Sequence, residues 1–465
     1  MNQTDFTTLD LHADLKKNLA TLGYETMTPI QAECLPDILA GNDVIAQGKT
    51  GSGKTAAFAL GMLQKLDVKD LSVQSLVLCP TRELADQVTK EIRRLARAIP
   101  NIKVLTLCGG VSIRPQKDSL RYGAHIIVGT PGRVDDHLLR ETLRLDSVNT
   151  VVLDEADRML DMGFQAAIEA IIDQTPKKRQ TLLLSATFPD QIKKISNRIM
   201  NKPVMVKAET THDSSTISQH FYQVDSLEER MAAVRLLLQH HRPESTVIFC
   251  NTKIETTELA EDLINNGFSA LALNGDLEQR DRDQTLVRFA NKSTSILVAT
   301  DVAARGLDID SLDAVINYHI AHDPEIHVHR IGRTGRAGDH GIACSLFSNK
   351  EELKMTMLAD YLEQKIEAEP LPPQSVLEAP AIKPKMATLQ IGGGKKQKVR
   401  PGDILGALTG EQGIAGKQVG KIHIFDNWAY VAVSRDVVKV ALKKLSEGKL
   451  KGRSFRVRMM WDWPS

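Results

Sequence analysis

Long apolar runs are missing from this 465-residue sequence. No stretch of 18 apolar residues occurs, so no membrane span is expected. Met1 to Asp14 carries Asp5, Asp10 and Asp14 without an apolar core, and no signal peptide is expected. Cysteine is scarce: Cys34, Cys79, Cys108, Cys250 and Cys344 are scattered, odd in number and never spaced C-x-x-C. That argues against a disulfide framework and against zinc. Buried free thiols in a reducing, cytoplasmic compartment fit better. A one-signed charge is missing too, since the formal net charge is +1. The balance is nevertheless split. Residues 386–465 hold 15 Lys and Arg against 6 Asp and Glu, a net of +9, and the remainder carries −8. Aromatics make up 4%, yet all three tryptophans, Trp428, Trp461 and Trp463, fall in that basic tail. Such asymmetry marks the tail as a candidate polyanion binder. The length predicts about two to four domains.

What is present centres on Gly48-Lys49-Thr50-Gly51-Ser52-Gly53-Lys54-Thr55, which reads G-x-x-x-x-G-K-T. It follows a strand-like run, Asp43 to Ala46, and precedes a helix pattern, Ala56 to Leu60. Strand, glycine loop and helix in that order form a phosphate-binding loop. Gly51, Ser52 and Gly53 let backbone N–H groups converge, and the helix N-terminus adds partial positive charge. Lys54 would reach the β- and γ-phosphates of a nucleotide, and Thr55 would hold Mg2+. Upstream, Gln31 in the turn Gly23 to Gln31 can pair with the edge of adenine, and Phe6 can offer a stacking face. The plainer alternative is a helix-capping turn with a solvated Gln.

From residue 43 to about 207, apolar strand-like runs alternate with helical segments. Alternation argues for a parallel sheet covered on both faces, with ligands beyond the carboxyl ends of its strands. The polar clusters fall there: Pro80-Thr81-Arg82, Gly109-Gly110, Thr130 to Arg133, Asp154 to Asp157 and Ser185 to Thr187. Asp154 suits Mg2+, and Glu155 is placed to orient and deprotonate water. An acidic helix N-terminus is the alternative.

Lys207 to Gln219 turns polar, and residues 209–218 read as a linker between lobes 1–208 and 219–368. The second α/β series has no phosphate loop. It carries Thr300 to Asp308, and His329 to Arg336 with arginines at 330, 333 and 336 that could project together. Arginine supplied across an interface stabilises phosphoryl transfer. A solvated basic helix face is the alternative. Residues 369–385 hold five prolines and read as a semi-extended spacer. The tail, 386–465, reads β-α-β-β-α-β, the ferredoxin-like order of RNA-recognition modules. The fold class expected is therefore α/β: two tandem parallel-sheet domains, RecA-like on the motif resemblance that follows, plus a C-terminal α+β, ferredoxin-like domain.

Taken together, AQGKTGSGKT (46–55), PTREL (80–84), GG (109–110), TPGR (130–133), DEAD (154–157), SAT (185–187), VIFCNT (247–252), ATDVAARGLD (299–308) and HRIGRTGR (329–336) resemble the DEAD-box RNA helicases over residues 1–368. The tail resembles the degenerate RNA-recognition module of a bacterial branch of that family that acts on large-subunit ribosomal RNA. The resemblance implies an RNA-stimulated ATPase using ATP and Mg2+. Its partners would be a hairpin region of 23S rRNA and the pre-50S ribosomal particle, with no DNA and no membrane. It implies adenine reading by Gln31, a ribose contact at Asp308 and arginine fingers at Arg333 and Arg336. Ser185 and Thr187 would link ATP binding to RNA binding. The RNA backbone would be gripped by Pro80, Thr81, Arg82, Gly109, Gly110, Thr130, Arg133, Thr252, Gln279, Arg282 and Thr300.

The tail departs from the usual module. Trp428 and Tyr430 fit the aromatic positions of the central strand, but the preceding Arg/Lys-Gly is missing, and the first strand, Ala387 to Ile391, lacks its aromatic. RNA would then use loops and the basic edge, with Lys395, Lys396, Lys398, Arg400, Arg453, Arg456 and Arg458 as candidates. A charged solvated surface is the alternative. Two other functions use the same motifs: an ATP-gated RNA clamp or scaffold that never separates strands, and a DNA-directed motor.

Overall fold

The computed structural model describes residues 4–48, 51–207, 217–304, 312–335, 340–411 and 413–460. Two compact units divide the chain near residue 212. The first is one lobe; the second holds another lobe and the C-terminal module.

The first lobe is a parallel sheet of seven strands: β1 (Val44–Gln47), β2 (Ser75–Leu78), β3 (Val104–Leu107), β4 (Ile126–Gly129), β5 (Thr150–Leu153), β6 (Gln180–Ser185) and β7 (Val204–Lys207), ordered β3-β4-β2-β5-β6-β1-β7. Strand side chains alternate between faces, so an unbroken apolar run supplies two cores. Val77, Val128, Val152 and Leu182 join one core, and Leu76, Ile127, Val151 and Leu183 the other. Helix Arg82–Leu95 shows how a covering helix is specified. Thr81 caps it, accepting from Leu84 N, and Leu84, Val88, Ile92 and Leu95 recur on its buried face.

The second lobe is a parallel sheet of six strands: β8 (Ile217–Gln223), β9 (Thr246–Cys250), β10 (Ala270–Leu273), β11 (Ile296–Thr300), β12 (Ala314–Asn317) and β13 (Gly341–Phe347), ordered β10-β11-β9-β12-β13-β8. Both RecA-like parallel-sheet domains expected from the alternation are present. Sequence reasoning misses β7 and β8, and the expected linker 209–218 runs into the start of β8. Both are edge strands, and β8 reads ISQHFYQ with only Phe221 and Tyr222 buried. A half-solvated edge carries no apolar run to announce it.

The module is a four-stranded antiparallel sheet of β14 (Met386–Ile391), β15 (Val419–Ile424), β16 (Ala429–Ser434) and β17 (Val457–Met460), ordered β15-β16-β14-β17. Helices Pro401–Thr409 and Val438–Glu447 complete the β-α-β-β-α-β order. Leu389, Ile391, Val431 and Val433 pack with Ile404, Leu408, Ala441 and Leu445 into a core of its own.

The proline-rich stretch is not a free spacer. Its prolines leave room for one short 3-10 helix, Gln374–Glu378, and for backbone carbonyls and small apolar groups that the second lobe uses. Glu369 N donates to Phe221 O at 2.7 Å, and Leu371 and Ala381 pack on the second-lobe core. Gln239 Nε2 donates to Ala379 O and Pro380 O at 2.5 and 3.1 Å, and Lys385 pairs with Glu244. Residues 369–385 form a strap.

Candidate active site and nucleic-acid interface

The loop after β1 is held from three sides. Gly48 N donates to Ser185 O at 3.0 Å. Thr28 Oγ1 donates to Ser52 O at 2.7 Å, and Gln31 Nε2 donates to Gly53 O at 3.0 Å. Gly51 and Gly53 adopt φ of +83° and +97°, and a Cβ on Gly53 would stand 2.5 Å from Gln31 Nε2. Only glycine fits there. Gln31 is not the solvated residue of the plainer alternative. It is 2% exposed, and its Oε1 accepts from Thr28 N at 2.9 Å in a capping box. Phe6 is 3% exposed, its ring edge-on to Tyr24 with centroids 5.7 Å apart. The expected stacking face is thus covered by the lobe's own core.

Lys54 opens helix Lys54–Gln64, is buried, and donates through Nζ to Gly48 O. Burial lowers its pKa, opposed by the charges of Asp154, Glu155 and Asp157. Asp154 directly follows β5 and is buried. Desolvation, with Glu155 adjacent, pushes its carboxyl up to about 7 against the pull of Lys54. Glu155 sits in the left-handed region at φ +52°, and Arg158 Nη1 donates to its Oε2 at 2.6 Å in a buried ion pair. Asp157 Oδ2 accepts from both Thr187 N and Thr187 Oγ1, at 3.0 and 2.9 Å, which ties the end of β5 to the end of β6. Ser185 Oγ is buried without a hydrogen-bond partner. Among the described residues no cluster of three or more His, Cys, Asp or Glu is set to hold a metal. Mg2+ asks for none: it keeps waters and takes one or two protein oxygens plus phosphate, which the Thr55 hydroxyl and the buried Asp154 carboxylate fit.

The RNA candidates of this lobe follow β2, β3 and β4, which are neighbours in the sheet. Arg133 Nη2 donates to Val111 O at 2.9 Å and Nη1 to Gln116 Oε1 at 3.1 Å, so the loops after β3 and β4 are joined. Gln116 in turn donates to Cys108 O at 3.0 Å. Pro80, Thr81 and Arg82 begin the helix after β2, and Thr130 caps the helix Pro131–Leu139 after β4. Gly109 and Gly110 follow β3 after Cys108. The nucleotide candidates follow β1, β5 and β6, also neighbours. One sheet edge is split into two halves.

The second lobe repeats this split. Thr252, which caps helix Lys253–Asn265, follows β9. Gln279 opens helix Gln279–Ala290 after β10, and Arg282 Nη2 donates to Ala303 O at 2.8 Å. Thr300 ends β11. These three strands adjoin, as β10-β11-β9. On the other half, Arg330 does not project outward. Arg330 is 2% exposed, bound through Nε and Nη2 to Asp301 at 2.7 Å each, with its guanidinium 5.2 Å from the Phe249 ring. It turns inward because it lies in the last turn of helix Pro324–Ile331, whereas half-buried Arg333 lies beyond the helix end. Arg336 and Asp308 lie outside the described residues.

In the module, Lys395, Lys396, Lys398, Arg453 and Arg456 are exposed. The two stretches that carry them lie side by side: Gly392 N donates to Arg456 O at 2.9 Å and Lys451 Nζ to Lys398 O at 3.0 Å. Arg458 belongs elsewhere, since its Nε donates to Gln390 Oε1 at 2.6 Å across the sheet face.

Residues 28–195 match the DEAD/DEAH box helicase family, residues 229–338 the helicase conserved C-terminal domain, and residues 388–459 the DbpA RNA binding domain. Over 458 residues, 98% of this chain and 100% of the relative, the chain is 52% identical to the ATP-dependent RNA helicase DbpA of Escherichia coli (strain K12). The chain belongs to the DEAD-box ATP-dependent RNA helicases, in the DbpA family. It is also similar to the DEAD-box helicase CshA of Geobacillus kaustophilus, 46% identical over 75% of this chain and 74% of the relative. Among solved structures, S. cerevisiae Dbp5 bound to RNA and ADP BeF3 is 30% identical with a TM-score of 0.71, covering 79% of this chain and 96% of that one.

The helicase's sheet edges hold residues that sequence reasoning passes over. Thr28 pins the glycine loop, and its signal was legible as Thr three residues before Gln31. Gln116 beneath Arg133 had no signal, since it is an ordinary amide whose partner is fixed only by the fold. Arg158, three residues after Glu155, and Asp301, inside the 299–308 motif, stood in legible places, but their partners were not foreseen. No described helix of this helicase is long and apolar enough to cross a membrane.

Proposed function

We propose that this helicase uses ATP and Mg2+ to separate short RNA duplexes locally, and that its C-terminal module directs it to a hairpin region of 23S rRNA. It would act on pre-50S particles during large-subunit assembly in the cytoplasm. The carrying observation is the split sheet edge, with nucleotide groups after β5, β6 and β1 and RNA groups after β3, β4 and β2. Backbone N–H groups of Gly51, Ser52 and Gly53 and the Lys54 ammonium cradle the phosphates. Gln31 reads the base, with Phe6 behind it and Asp308 at the ribose. Thr55 and Asp154 hold Mg2+, which neutralises phosphate charge.

Glu155 orients the attacking water and takes its proton, and Arg158 fixes the direction of that carboxylate. Arg333 and Arg336 approach the γ-phosphate when ATP and RNA close the lobes, a contribution of about 10³ to 10⁵ in rate. Pro80, Thr81, Arg82, Gly109, Gly110, Thr130, Arg133, Thr252, Gln279, Arg282 and Thr300 grip one RNA strand by backbone and 2′-OH, without reading sequence. The grip bends that strand and its partner leaves; hydrolysis reopens the lobes. Asp157 bound to Thr187 joins the ends of β5 and β6 within the nucleotide half, and Ser185 and Thr187 would carry the link from that half to the RNA groups. Lys395, Lys396, Lys398, Arg453 and Arg456 supply the module's RNA surface, a reading supported by the tail's net +9.

Duplex release decides between helicase and clamp. Wild type with ATP should free the short strand repeatedly, and Glu155→Gln should free it at most once per protein. RNA-stimulated hydrolysis without any strand release would replace this reading with the ATP-gated clamp. RNA should stimulate hydrolysis where DNA of the same sequence does not. Lys395→Glu/Lys396→Glu/Lys398→Glu should bring stimulation by total ribosomal RNA down to that by poly(A); unchanged stimulation would remove the module's targeting role.

A further inference from the structure

The first lobe's sheet ends at β3, and a cation closes over the outer edge of that strand. Lys103 O accepts from His125 N and Ile126 N, and Leu107 O from Thr130 N, so these carbonyls face β4. By alternation Val104 O faces away from the sheet. Arg93 Nη2 donates to it at 2.6 Å. Two helices run back along this strand from the RNA candidates. Helix Arg82–Leu95 is capped by Thr81 and shares a core with Val104. Helix Arg114–Leu120 begins four residues after Gly110, and its Leu120 packs with Leu105 against the other core.

Each helix carries a row of cations. Lys90, Arg93 and Arg97 recur at i, i+3 and i+7, opposite the buried Leu84, Val88 and Ile92. Arg114, Lys117 and Arg121 repeat that spacing. Gln116 turns to Arg133 and His137 of the next helix, and at about 100° per residue Arg114 and Arg121 lie on the side away from it. All six are exposed except the half-buried Lys117. Residues 90–121 hold 8 Lys and Arg against 2 Asp and Glu, a net of +6. Residues 1–385 as a whole carry −8, so the rest of that segment carries −14. The two acids neutralise little of the rows. Glu91 pairs with Arg94 at 3.3 Å, and Arg94 turns aside to Tyr24. Asp118 and Arg121 form an exposed pair at 3.6 Å. Among the described residues no carboxylate pairs with Lys90, Arg93, Arg97, Arg114 or Lys117.

We propose that this flank of β3 is a further RNA site, which takes backbone phosphates of RNA running on from Arg82, Gly109 and Gly110. The proposal rests on the reading that those residues grip RNA. Cations beside an edge strand also deter strand pairing, but Arg93 over the open carbonyl serves that end without two rows of three. Each row spans about 10 Å of its helix, which carries the positive surface well past the strand ends. Contacts of this kind release counterions and read no sequence. The flank therefore adds affinity only for RNA longer than the grip.

The test is full-length Arg114→Gln/Lys117→Gln/Arg121→Gln, with RNA affinity titrated against two probes. One is the shortest poly(A) that stimulates ATPase; the other is poly(A) several times longer. For long poly(A) the dissociation constant should rise about tenfold, and the slope of log affinity against log salt should shrink by about 2. For the shortest poly(A) both should stay near wild type, as should the urea midpoint. Arg114→Lys/Arg121→Lys keeps the charge and should bind long poly(A) like wild type. Wild-type affinity of the glutamine variant for long poly(A) overturns the proposal, as does an equal loss with both lengths. An equal loss in the lysine variant also overturns it, because charge is then not the cause. Arg133→Ala, at the grip, should weaken both lengths alike. If it weakens neither, the grip reading is at fault rather than the flank.

Discussion

Counted from its own first strand, each lobe lays its strands in the order 3-4-2-5-6-1, the first lobe adding a seventh at the edge. The two nonetheless carry opposite chemistry at matching places. The first lobe's opening strand ends in Gly48 to Lys54. The second's ends in Val224 to Ser226, where Ser226 and Glu229 form a capping box and the next helix starts at once. The first lobe's fifth strand is followed by Asp154 and Glu155; the second's, β12, is followed by Tyr318 and His319. In the second lobe the half-buried acid Asp301 holds the buried Arg330 instead. A shared sheet therefore supplies positions, and a few residues at strand ends decide whether a lobe binds phosphate or donates cations.

Breaking the comparison on the phosphate side should have the largest effect. Lys54→Ala removes the buried ammonium among three carboxylates, and RNA-stimulated turnover should fall to background in a phosphate-release assay. On the cation side, Arg333→Ala should cut hydrolysis about 10³-fold while nucleotide affinity, read by fluorescent-analogue titration, holds. Asp301→Ala tests whether the second lobe's acid is structural. It leaves Arg330 buried without its carboxylate and should cost about 3–5 kcal/mol in urea unfolding, far more than any exposed ion pair.

The smallest effect is on pH. Burial lowers His327 to about 3 and His241 to about 4, and it also lowers His319, all in the second lobe. The first lobe has His137 lowered. A histidine kept neutral by the fold takes its proton only on unfolding. Stability is therefore lost as pH falls below the unfolded value near 6.5, down to the folded values. Hydrogen exchange at pH 5 against pH 7 should lose protection first in the second lobe.

Much of this was legible because the signals are local. A glycine loop between strand and helix, carboxylates at the end of VVL, and unbroken apolar runs each carry their own context. The edge strands β7 and β8 were hidden because half their residues face water. The strap was hidden because prolines read as a spacer until Gln239 and the second-lobe core are seen to hold it. The inward turn of Arg330 was hidden because equal spacing of three arginines says nothing of where the helix stops.

One amide has a wider reach than its single hydrogen bond implies. Gln31 touches the carbonyl of Gly53, and its proposed duty is to recognise the base. A mismatched nucleobase would then be felt by the phosphate cradle itself, so selectivity and grip cannot be tuned apart. Replacing Gln31 should blunt the choice of ATP over GTP and loosen the triphosphate in one stroke.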